Sequence, residues 1–163
     1  MFLLLSLIAC SGGAPSAPST DPMDGHVMGV EGEHHEHGGM SEHMAMMNAT
    51  RDRLRSELAV AYDQPVPGLD QADMSRGKTL YDQNCASCHG AAGKGDGPAG
   101  ASLEPTPADF TDAFHARYYS DAGRVRIVEK GSPGTAMQAF EGQLDRQQIL
   151  DVYAYVRSLR GAH

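Results

Sequence analysis

The sequence predicts an all-α domain wrapped around a bound group and preceded by a mostly disordered leader. Three observations predict it. Asp145 to Leu159 carries Ile149, Val152, Tyr153, Val156 and Leu159 as one apolar stripe at helical spacing. Cys85-Ala86-Ser87-Cys88-His89 has the spacing that attaches a c-type haem. The first forty residues hold long Ser/Gly/Pro and His/Met-rich stretches that can bury little.

In the Cys85–His89 motif, two thiols three positions apart can each join a vinyl group of one macrocycle, and His89 can reach the iron. Met137, in Pro133-Gly134-Thr135-Ala136-Met137, offers a second axial ligand, and His plus Met is a standard pair for electron-transfer haem. The cysteines also fit a thioredoxin-like redox pair or half of a metal knuckle. The first lacks a strand–helix setting. The second lacks two further cysteines, since only Cys10 remains.

Residues 1–9 form a short apolar run, too short to span a bilayer, that reads as an export signal. Leu7-Ile8-Ala9-Cys10 looks like a bacterial lipoprotein cleavage site, with Cys10 lipidated, although nothing basic precedes it. An ordinary secretion signal with a coincidental cysteine would leave the chain soluble in the periplasm. Residues 10–39 then read as the lipidated cysteine and a flexible, acidic, His/Met-rich linker. Its Ser/Gly/Pro stretch, 11–20, is a tether. Asp21 to Met47 contains no Lys or Arg but many histidines and methionines. His26, His34, His35, His37, His43, Met40 and Met44 are candidate copper ligands, because imidazoles and thioethers suit that metal. The plainer reading is a low-complexity spacer.

Residues 40–64 read as an amphipathic helix, with Met40, Met44, Met47, Leu54, Leu58 and Ala61 at helical spacing, Ser41 as a cap, and Pro65 and Pro67 beyond its end. Its methionines read as packing residues, lying against the domain or a partner. Charge then divides the chain. Residues 11–73 carry 3 basic and 11 acidic side chains, a net of −8, whereas residues 74–163 carry 10 of each. The acidic leader disfavours nucleic acid and suits a basic redox partner.

The compact domain is placed at 74–163, about ninety residues, which is small for an independent core. A covalent haem would supply apolar surface for the helices. Ser75 to Asn84 is expected to be a helix delivering Cys85, with Gly77 and Tyr81 on one face. Gly90 to Gly100, with five glycines, is expected to wrap close to a flat cofactor. Leu103 to Phe110 should be extended. Asp121 to Lys130 should be a helix stopped by Gly131 and Pro133. Asp145 and Gln148 form a capping box for the last helix.

With these residues in view, 74–160 resembles the class I, monohaem cytochrome c family, particularly bacterial domains of respiratory oxidase subunits. The resemblance rests on Cys85-Ala86-Ser87-Cys88-His89-Gly90, Gly95-Asp96-Gly97-Pro98, Pro105-Thr106-Pro107-Ala108-Asp109-Phe110, Gly134-Thr135-Ala136-Met137 and Tyr155-Val156-Arg157-Ser158-Leu159. It implies the class I cytochrome c fold around one haem c. Cys85 and Cys88 would form the thioethers, with His89 and Met137 as axial ligands. The Pro98 carbonyl would hold the other ring nitrogen of His89. Thr135 would hydrogen-bond near a propionate, and Gly77 and Tyr81 would meet Val152 and Tyr155 where the first and last helices cross. Gln138 stands where many relatives have proline after the methionine. His115 and the terminal His163 are alternative ligands, and Met74 reads as core or boundary.

The expected function is one-electron transfer in a respiratory chain, by a carrier or complex subunit that is not itself an enzyme. The expected location is the periplasmic face of the bacterial envelope, anchored to the membrane through Cys10. Ser11 after that cysteine favours the outer over the inner membrane. Partners would be a quinol-oxidising complex and a terminal oxidase or reductase. Two alternatives are a copper-handling module with a redox haem domain, and a haem sensor or peroxidase-like protein with a labile Met137.

Overall fold

The computed structural model describes residues 37–161, with side chains from Met40 onward. The export segment, Cys10, His26, His34, His35 and His163 lie outside the described residues, and of His37 only the backbone is described. Among the described residues the fold is all-α. Helix α1 spans His37–Leu58 and runs into a 3₁₀ segment, Ala59–Asp63; a second short 3₁₀ turn covers Leu69–Gln71. Then come α2 (Met74–Asn84), α3 (Ala86–His89), α4 (Ala113–Tyr118), α5 (Asp121–Lys130) and α6 (Arg146–Ser158).

Local chemistry sets most of these boundaries. Asp73 caps α2 by accepting from the Ser75 and Arg76 amides, Asp112 caps α4 and Ser120 caps α5. Asp145 and Gln148 make a reciprocal capping box on α6. Helix α5 ends at Gly131 in the left-handed region (φ 74°), its amide bonded to the Ile127 carbonyl. Ser41, expected as a cap, lies inside α1, because the helix begins earlier at His37.

The most extensive helix–helix contact joins α2 to α6. Gly77 makes it possible: a Cβ there would lie 2.0 Å from the Asp151 carbonyl oxygen and 3.2 Å from the Val152 nitrogen. Tyr81 meets Tyr155 edge-to-face with centroids 5.1 Å apart. Tyr81, Val152 and Val156 form one buried cluster, with Cys85, Ala86 and Phe110 packed on it. A second gathers Val66, Leu69, Val125, Ile149, Leu150, Tyr153 and Ala154.

The core extends N-terminal of Met74. Val66 and Leu69 belong to it, and α1 buries Leu54 fully and Met47 almost fully. Glu57 of α1 pairs with Arg126 of α5 at 3.1 Å. The Tyr119 hydroxyl donates to the Met47 carbonyl at 3.3 Å. The expected methionine stripe is thus used only in part: Met40 is 74 % exposed.

Asp151 is fully buried on α6 and ties down the start of α2. It accepts from the Asp73 amide at 2.8 Å and from Arg76 Nε. Burial raises its pKa, but the Arg76 guanidinium and the Asp73 amide overcome this and hold it below the usual carboxylate range. A depressed folded pKa gives stability that is complete above the unfolded value and is lost as pH falls through the folded one. We therefore expect Asp151→Asn to cost about 2 kcal/mol at pH 7, by chemical denaturation, with the gap to wild type closing below the unfolded carboxylate value. A gap that persists unchanged at low pH would rule out the charge as its source.

Candidate functional site

The sequence between Asn84 and Phe110 folds into a tight frame for one histidine. The short α3 turn holds Cys85, Cys88 and His89 together, with the His89 amide bonded to the Cys85 carbonyl at 2.9 Å. The glycine-rich loop returns across it: the Gly97 amide reaches the Cys88 carbonyl at 3.2 Å and the Ala99 amide reaches Ser87 at 2.8 Å. A Cβ on Gly97 would sit 2.4 Å from the Ser87 carbonyl oxygen. At Gly97 the small residue is therefore needed for backbone to lie on the cysteine-bearing turn.

His89 is half-buried, its ring stacked on Phe110 with centroids 4.5 Å apart. Its Nδ1 stands 3.3 Å from the Ala108 carbonyl. The resemblance implied the Pro98 carbonyl in that place; here Pro98 is exposed in the glycine loop, and the carbonyl beside Nδ1 is that of Ala108. A ring nitrogen facing a carbonyl carries the proton, which leaves Nε2 with a free lone pair. Burial pushes the imidazole below its ordinary range, against a smaller opposing pull from the Ala108 carbonyl. Burial is the larger effect and favours a neutral ring, and the Ala108 carbonyl fixes which nitrogen of that ring carries the proton.

Met137 comes from the turn after α5. The Thr135 hydroxyl donates to the Ser132 carbonyl at 2.8 Å and accepts the Met137 amide at 3.1 Å, so it shapes the turn that presents the thioether. The Met137 carbonyl accepts from Ser132, and the Phe140 amide bonds to Val128 at 3.1 Å, fixing the loop to α5.

These segments line one cavity of about 690 Å³, a volume in the roughly 300–1,000 Å³ range of cofactor sites. Cys85, Cys88, His89, Thr135 and Met137 all border it. So do residues that pattern reading did not assign to it: Phe110, Arg124, and Met46, Met47 and Thr50 of α1. His115, an alternative ligand by sequence, lines it too, beside His43. Arg124 is only 9 % exposed, and its Nε has no partner among the described residues. A buried cation with an orphaned donor in a cavity wall calls for an anionic guest.

The residues therefore fit a haem: two thiols, a neutral imidazole, a thioether, and a buried guanidinium suited to a carboxylate. They do not fit a redox-active thiol pair. Burial, with Cys88 nearby, pushes the Cys85 thiol up to about 11, opposite to the lowered value such a pair needs. The knuckle reading has no support either, since no group of three or more His, Cys, Asp or Glu side chains converges among the described residues.

Comparison with known proteins agrees with this geometry. The cytochrome c family profile matches residues 74–160. The chain is 33 % identical over 89 residues to the cbb3-type cytochrome c oxidase subunit FixP of Bradyrhizobium diazoefficiens. It is 38 % identical over 96 residues to subunit CcoP of Azospirillum sp.. These matches use 55 % and 54 % of this chain but only 28 % and 31 % of the subunits. Cytochrome c-554(547) of Halothiobacillus neapolitanus is 30 % identical and is covered over 98 % of its length by 54 % of this chain. With a profile spanning most of the helical domain and a small relative matched almost end to end, the chain belongs to the cytochrome c family.

Proposed function

We propose that this chain is a one-electron carrier of a bacterial respiratory chain, holding one covalent haem c through Cys85 and Cys88 with His89 and Met137 as axial ligands. The observation that carries the reading is the convergence of those four side chains on one cavity. When bound, the haem supplies a reversible one-electron couple at its iron. Ala108 fixes the His89 tautomer, the Thr135 turn presents the Met137 sulfur, and Phe110 and α1 narrow solvent access. Arg124 would face a haem carboxylate, and its positive charge would favour the reduced state. We expect Arg124→Gln to lower the reduction potential, measured by potentiometric titration. An unchanged potential would remove Arg124 from the site.

The visible spectrum of ferric holoprotein tests the ligation. The wild type should show low-spin bands and the weak sulfur-to-iron band at the red end, and Met137→Ala should abolish that band while the covalent haem remains. A high-spin wild type would instead favour the sensor or peroxidase-like alternative. We place the carrier at the periplasmic face, tethered through a lipidated Cys10, with the outer membrane favoured. No helix among the described residues is long and apolar enough to cross a membrane. The similarity to cbb3-type oxidase subunits supports a terminal oxidase, rather than a reductase, as the electron acceptor, and the donor in this reading is a quinol-oxidising complex.

A further inference from the structure

A second pair of metal-ligating side chains meets where α1 passes α4. His43 Nε2 and His115 Nε2 stand 3.1 Å apart, with the rings edge-on at 77°. Behind His115, Asp112 Oδ1 lies 2.8 Å from Nδ1 and also accepts the His115 backbone amide. An Nδ1–H bonded to that carboxylate oxygen leaves the His115 Nε2 lone pair facing His43. Two ring nitrogens aimed at one point are reconciled by a shared proton or by a cation. Nitrogens each about 2.0–2.1 Å from one ion at a tetrahedral angle would be about 3.3 Å apart, close to the separation seen.

The surroundings favour the cation. Met46 lies one helical turn from His43 and lines the same cavity as both histidines, and Met40, Met44 and Met47 flank it on α1. Two imidazoles with a thioether make a soft donor set that suits copper over calcium, magnesium or manganese. We propose that His43 and His115 bind one copper ion, with Met46 as the third donor and Asp112 orienting His115. His43, Met46 and Asp112 lie outside the haem-ligand set, and the site rests on the proposed His89/Met137 ligation, which leaves His115 free for copper. It also differs from a diffuse His/Met leader site, because His115 and Asp112 belong to the helical domain.

Titration of the full-length holoprotein with Cu(II), followed by electron paramagnetic resonance and equilibrium dialysis, tests this. A tight site with nitrogen superhyperfine structure is expected, in addition to any weaker binding. His115→Gln and His43→Gln should each remove that one equivalent, and the haem spectrum of the same samples reports that the domain is folded. Asp112→Asn, which preserves the helix cap, should weaken the site about tenfold or more. Met46→Leu should lower affinity for Cu(I) in competition with a Cu(I) chelator. The proposal is overturned if the wild type has no tight site, or if copper stoichiometry and affinity survive both histidine substitutions, which would leave any copper to residues outside this pair.

Discussion

A Cys85→Ala/Cys88→Ala double variant is expected to be colourless and largely unfolded. Both thiols border a cavity of about 690 Å³, and Cys85 packs on the Tyr81–Val152–Val156 cluster that joins α2 to α6. At about 24 cal/mol per Å³, leaving even a third of that space empty would cost about 5 kcal/mol. That is comparable to the whole stability of many small domains, about 5–15 kcal/mol. Near-ultraviolet circular dichroism and amide dispersion in NMR would read the loss of fixed packing. A double variant that kept native dispersion without haem would show that the helices carry the fold alone.

The second large effect is steric. Gly77→Ala places a Cβ 2.0 Å from the Asp151 carbonyl oxygen and 2.5 Å from its carbon, and backbone on a helix cannot step aside as a side-chain tip can. Helices α2 and α6 must separate, which also stretches the Asp73 and Arg76 bonds to Asp151. We expect a loss of about 3 kcal/mol or more, hence a fall in Tm of roughly 4–8 °C per kcal/mol in a domain this small. Thermal denaturation of the holoprotein followed by circular dichroism measures it. By contrast, a Cβ on Gly123 would meet the Tyr62 ring edge at 2.9 Å, where a ring can tilt, so Gly123→Ala should cost less. Equal costs at the two glycines would contradict this account of the α2–α6 crossing.

What could be read in the sequence was what local chemistry decides. The Asp145/Gln148 capping box and the end of α5 at Gly131 each depend on residues within one turn, and the structure has both. The crossing of Gly77 and Tyr81 with Val152 and Tyr155 was implied by the family resemblance rather than by periodicity, and the close approach at Gly77 and the Tyr81–Tyr155 contact are both present. Long-range placement was not legible. The carbonyl beside His89 depends on how the loop from Gly90 returns, so Ala108 rather than Pro98 reaches the ring. Periodicity gave α1 an apolar face but could not say what it would cover, and Met47 and Leu54 are buried while Met40 is not. Arg124 was the hardest to anticipate: a charged residue in a short helix reads as solvent-facing, and only the tertiary fold turns it into the cavity wall.

The most direct test of the electron-carrier account is a spectroelectrochemical titration of the full-length holoprotein, with carbon monoxide added to the ferrous form. The account predicts a single reversible one-electron transition at the relatively high potential that His/Met ligation gives, and a ferrous spectrum that carbon monoxide leaves unchanged on mixing. Rapid carbon monoxide binding, or a low potential with a high-spin ferric form, would contradict it, because either requires an iron position that Met137 does not hold.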